Sequence, residues 1–116
     1  MLRLLVSIII AAATVRAQAD EWIVYARDTQ DYSYNHTRIT HHAAQGITFV
    51  VWTRHGAQTK RQELHCASSS WRTVYETRDA RGETEFVSRT PTAEWQWARP
   101  DGVEMALIDW ICQHYH

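Results

Sequence analysis

Between residues 21 and 88 the chain alternates with a period of two, and no segment in that span keeps a helical period. That pattern restricts the fold to sheet. Residues 21–27 (EWIVYAR) and 32–35 (YSYN) read as two strands joined by a polar turn at 28–31. Residues 47–54 (ITFVVWTR) give the strongest strand signal, β-branched and aromatic, with Phe49, Val50, Val51 and Trp52 apolar on both faces. Such a strand belongs at the centre of a sheet, covered on two sides. Residues 61–66 place Leu64 and Cys66 on one face, and residues 70–78 carry Trp71, Thr73 and Tyr75 opposite Arg72, Val74 and Glu76. Asp79-Ala80-Arg81-Gly82 turns into a last strand at 83–88. The turns leave no room for crossover helices, so successive strands run antiparallel, as a meander.

After Pro100 the period changes. Asp101 is placed to cap a helix with Glu104 three residues on, and Val103, Leu107, Trp110 and Ile111 follow at helical spacing. Met105, Ile108 and Cys112 form a second apolar line, and only Glu104 and Asp109 interrupt the apolar surface. A helix over 103–111 with so little polar face is expected to pack on the sheet or to meet a second copy in a homodimer. The fold class expected is α+β: an antiparallel β-sheet meander packed with a C-terminal α-helix and fastened by one disulfide.

Residues 1–19 read as a cleaved secretory signal peptide: a positive Arg3, an apolar run from Leu4 to Ala13, and a small-x-small site at Ala17-Gln18-Ala19. The apolar run is too short to span a bilayer, and no cysteine near the cleavage point could take a lipid anchor. Residues 20–116 are expected as one soluble domain, periplasmic or secreted. Arg3 and Arg16 leave with the leader, so the formal charge of −1 becomes −3, which argues against nucleic acid or an anionic membrane as partner. The two cysteines, Cys66 and Cys112, read in an exported chain as one disulfide.

The landmarks Trp22-Ile23-Val24-Tyr25, Tyr32-Ser33-Tyr34-Asn35, Val51-Trp52, Glu63-Leu64-His65-Cys66, Arg72-Thr73-Val74-Tyr75, Gly82, Trp95, Pro100 and Cys112 come in a familiar order. Over nearly the whole of residues 20–116 the chain resembles the surface-adhesin protein E-like family of bacterial exported proteins. The resemblance implies an antiparallel sheet packed with helix, a Cys66–Cys112 bridge and a Gram-negative envelope setting. It also implies adhesion to host proteins, although many relatives are small periplasmic proteins. The chain departs from the family's adhesins in lacking an anchoring cysteine, and it has Asp101-Gly102 where relatives often carry a serine.

Catalytic motifs are missing. There is no G-x-S-x-G, no H-E-x-x-H and no phosphate loop, with four glycines in the chain. Ser68-Ser69-Ser70 could join a histidine and an acid, but serine runs are usually loops, and neither an enzyme nor a cofactor is expected. Seven histidines offer metal ligands at His41-His42, at His55 with His65, and at His114 with His116, the last pair sharing a side if the tail is strand-like. Asn35-His36-Thr37 fits a glycan acceptor, which would require a eukaryotic secretory pathway. Of the six tryptophans, Trp22, Trp52 and Trp71 are expected in the core. Trp95 and Trp97 precede the Pro100 corner beside Arg99; Trp97 with Arg99 forms a candidate protein-binding patch, and Trp95 is either part of it or a core residue. The function expected is an exported, non-enzymatic, adhesin-like module that binds another protein. A soluble periplasmic accessory or inhibitor protein is the alternative, and a histidine-based metal binder the third.

Overall fold

A computed structural model describes residues 20–41 and 48–115. The leader at 1–19, the strand assignment of Ile47, and His42 and His116 as metal-ligand candidates lie outside the described residues. The elements are β1 (Trp22–Arg27), β2 (Asp31–Asn35), β3 (Thr40–His41), β4 (Phe49–His55), β5 (Gln58–His65), β6 (Ser70–Ala80), β7 (Glu83–Arg89), β8 (Gln96–Trp97) and α1 (Val103–His114), with a 3-10 turn at His36–Arg38.

All strand pairs are antiparallel, in the order β1-β2-β4-β5-β6-β7. The meander expected from the short turns is therefore present. Two further short strands complete it. The 3-10 turn breaks the chain after β2, and β3 then resumes pairing with β4 at Thr40 and His41. In the same way β8 pairs with the start of β6, while β7 pairs with its other end. Hairpin chemistry sets two of the turns. Gly56 and Gly82 both have positive φ, and Arg81 joins Gly82 there, the conformation that lets a two-residue loop follow the twist of its strands.

The core lies on one face of the sheet, under α1. Tyr34, Phe49, Val51 and Leu64 are buried against Leu107, Ile108 and Ile111, with Ile23, Tyr25, Trp71, Cys112 and Tyr115 packed around them. The Cys66–Cys112 disulfide fastens the helix to the end of β5. Of the two placements open to the helix, packing on the sheet accounts for the buried seam at Leu107, Ile108 and Ile111. Asp109, Trp110, Gln113 and His114 face outward. Among the described residues no helix is long and apolar enough to cross a membrane.

Three expectations need correction. Gly102 rather than Asp101 occupies the N-cap, with no side-chain cap bond, because Asp101 falls one residue early in the preceding turn. The helix runs on through His114, so the tail is not strand-like there. Trp22 and Trp52 are half-buried and lie on the face opposite α1, since their register partners Asn35 and Arg61 alternate with Tyr34 and Gln62 of the helix side. Among the described residues one α-helix packs on the sheet, and it covers one face.

Candidate functional site

The face without the helix carries an aromatic and cationic row across the strands. Arg54 lies 4.0 Å over the Trp22 ring. Trp52 meets Tyr75 edge-on at 5.8 Å, and Tyr75 leads to Phe86 at 6.0 Å. Val24 and Phe86 are exposed, Phe86 to 64 %. Arg54, Arg61 and Arg89 are exposed and make no ion pair among the described residues. The far end of the same face is closed by residues 90–95. There Arg72 donates from Nε to Glu63 Oε1 at 2.6 Å and from Nη1 to the Ala93 carbonyl at 3.1 Å, and its guanidinium lies 4.5 Å over Trp95. Trp95 is thus a half-buried clamp residue.

Trp97 sits beyond the clamp on β8, paired with Ser70, and is 77 % exposed; Arg99 is also exposed. Trp97 therefore stands out from the core. Sequence reasoning missed Trp52, Tyr75, Phe86, Arg54 and Arg61 as a group. Strict alternation set Tyr75 on the side of Trp71 and Thr73. The irregularity in β6, where Thr73 pairs Gln62 and Tyr75 pairs Arg61, leaves Val74 as an extra residue and turns Tyr75 to the opposite face beside Trp52. Alternation also gave no sign that this face would stay uncovered.

On the helix side the sheet continues past the end of α1 and becomes polar. A cleft of about 190 Å³ opens there, lined by residues that include Tyr25, Tyr32, His55, Lys60, Gln62 and Glu104. Its floor is a buried relay: Thr53 Oγ1 donates to Gln62 Oε1 at 3.0 Å, and Gln62 Nε2 donates to Thr73 Oγ1 at 3.3 Å. At the rim, Tyr32 and His55 stack at 3.7 Å. Asp28 accepts from the Gln30 amide, from His55 Nε2 and from the Tyr32 hydroxyl, and these bonds hold its carboxyl well below the usual carboxylate range. Burial, helped by the Glu104 and Tyr32 charges, pushes the Tyr25 phenol above its ordinary value.

The histidines are dispersed. His55 and His65 end neighbouring antiparallel strands and so lie at opposite ends of the β4–β5 pair. His41 packs on Phe49, while His114 stacks on Trp110 and bonds the Trp110 carbonyl through Nδ1. No group of three or more metal-ligating side chains occurs among the described residues. The serine run does meet a histidine, with Ser68 Oγ 2.6 Å from His65 Nδ1. Ser68 donates its proton to Ser70, leaving the ring to donate to Ser68, the reverse of what a general base requires. Asn35 is 1 % exposed, and its side-chain oxygen accepts from Thr37, so the glycan-acceptor amide is inaccessible.

No protein-family model, characterised protein or solved structure matches the chain.

Proposed function

We propose that the chain is an exported, non-enzymatic module, acting in the periplasm or outside the cell, that binds another protein through the uncovered face of its sheet. The observation that carries this reading is the row Trp22–Arg54–Trp52–Tyr75–Phe86, which leaves large aromatic surface beside arginines without counter-ions. Aromatic and arginine side chains together supply most of the binding energy at protein interfaces. The free guanidinium groups of Arg54, Arg61 and Arg89 select a partner whose apolar patch is edged with carboxylates. Trp97 and Arg99 extend the same chemistry beyond the Arg72 clamp. The resemblance to the surface-adhesin protein E-like family supports an adhesin-like role for this face, with a disulfide-stabilised sheet as its carrier.

The test is a pull-down from native envelope and culture medium with residues 20–116, repeated with Trp52→Ala and Trp97→Ala. A partner retained by the parent chain should bind Trp52→Ala at least about tenfold more weakly, above the ~1 kcal/mol that marks a hot spot. Unchanged affinity in both variants, with unchanged thermal unfolding, would remove this face from the binding role.

A further inference from the structure

Arg54 also lines the cleft on the helix side, but its guanidinium is held over Trp22 on the other face, so two side-chain charges of opposite sign remain in the cleft that the protein itself leaves unmatched. Lys60 on β5 and Glu104 in the first turn of α1 both line it, both are half-buried, and neither side chain makes a hydrogen bond or ion pair among the described residues. Glu76 stands across from Lys60 in the β5–β6 register, yet no ion pair joins them. A half-buried charge without a partner is costly, and two of opposite sign facing one cavity are both satisfied by a ligand that brings the complementary pair. The other acid at the rim, Asp28, is already occupied by its three donors, which leaves Glu104 as the acceptor for a cation.

We propose that this cleft binds a small zwitterion of the free α-amino-acid class, with its carboxylate toward Lys60 and its ammonium toward Glu104. The remaining lining fits that chemistry better than a sugar. A sugar site would present a bare aromatic face, whereas the Tyr32 ring is stacked under His55, and Tyr25 is packed on Tyr32 and Tyr34. What remains available is hydrogen bonding: the Tyr25 hydroxyl makes no bond among the described residues, and Gln58 lines the cleft beside Lys60. A ligand carrying only one charge would meet repulsion from either Lys60 or Glu104. The volume of about 190 Å³ is below the ~300–1,000 Å³ of clefts that hold drug-sized molecules, so the occupant is small. This site lies across the sheet from the protein-binding face and stands or falls independently of it.

Calorimetric titration of residues 20–116 with L-serine, N-acetyl-L-serine and L-serinamide separates the two charges at nearly constant size, with glucose as the sugar probe and L-glutamine as a longer zwitterion. Saturable binding is expected for at least one free amino acid, at least tenfold weaker for the acetylated and amidated forms. Lys60→Met should abolish discrimination between serine and serinamide, and Glu104→Gln that between serine and N-acetylserine, each with an unfolding midpoint close to the parent. Absence of binding by both free amino acids, binding unaffected by both substitutions, or tighter binding of glucose would each overturn the proposal.

Discussion

The Trp110 indole Nε1 donates to the Tyr34 hydroxyl at 2.7 Å, joining the outer side of the helix to a side chain rooted in β2. The Tyr34 hydroxyl in turn lies 2.8 Å from that of Tyr115, and Tyr115 lies 2.8 Å from His36 Nδ1. Because Tyr34 accepts from Trp110, its own proton is free for Tyr115, whose proton then goes to His36. In that direction every donor in the chain is used. The relay connects the helix, the residue after it, β2 and the 3-10 turn, and so holds the C-terminal end of the helix independently of the disulfide.

Replacing Tyr34 with Phe keeps the ring in the core and removes the hub. Trp110, being partly exposed, can turn to water, but the Tyr115 hydroxyl oxygen loses its donor in a half-buried position and keeps only its bond to His36. The expected loss is about 1–3 kcal/mol of unfolding free energy, read by denaturant titration. A change within a few tenths of a kcal/mol would show that the relay adds nothing beyond solvent bonding.

Arg72 and Glu63 test the other face. Their side chains are only 16 % and 11 % exposed, so the pair is largely desolvated. Removing one member strands the other: Arg72→Ala should destabilise by about 3–5 kcal/mol, while replacing both with apolar residues should cost much less. The single variant should also release residues 90–95, since the Ala93 and Trp95 contacts go with it, and amide exchange in that segment should rise. If the single and double variants unfolded alike, the pair would not be the anchor of that segment.

The sheet was legible because the β-branched and aromatic run at 47–54 and the alternation at 70–78 are local properties, and the bridge because a chain that reads as exported, with two cysteines, offers one pairing. Helix α1 was legible from its two apolar lines. What alternation does not encode is which face is covered. Trp22 and Trp52 belong to the uncovered face because, among the described residues, one α-helix packs on one of the two faces, and that becomes decisive only after the register is known. The strands β3 and β8, each two residues long, carry too little pattern to be read. Lys60 and Glu104 are ordinary charged residues 44 positions apart; they come to face one cleft because α1 lies back across β1, β2 and β4, and no local motif announces it.

The bridge closes a loop across a separation of 46 residues, for which loop-closure entropy gives about 4 kcal/mol. Reduction should therefore lower the unfolding midpoint markedly and make the helix the first element to exchange its amides. Mass spectrometry of the native protein should show two fewer hydrogens than the reduced chain. A native protein with free thiols, or one indifferent to reduction, would contradict this.

Alkaline pH should weaken the fold through its phenols. Burial raises both Tyr25 and Tyr115 above the ordinary value of 10.0, with the Glu104 charge adding to the first and the charges of Tyr34 and Glu21 adding to the second. In the unfolded chain these groups ionise near 10. Their contribution is thus fully present below that pH and is lost as pH climbs from there toward the raised values. At the acid end the sign is opposite: Asp28 is lowered from 3.8, so its contribution holds above about that pH and falls away below it. Being solvent-accessible, Asp28 should show itself in the carboxyl shift of an NMR titration more than in the midpoint. The expected record is a thermal midpoint flat through neutrality that declines above pH 10, with phenolate absorbance rising as the protein unfolds. Tyr25→Phe should shallow that decline without removing it, because Tyr115 remains. If all the tyrosines ionised near pH 10 in the folded protein with no loss of midpoint, neither phenol would be held in its protonated form by the fold.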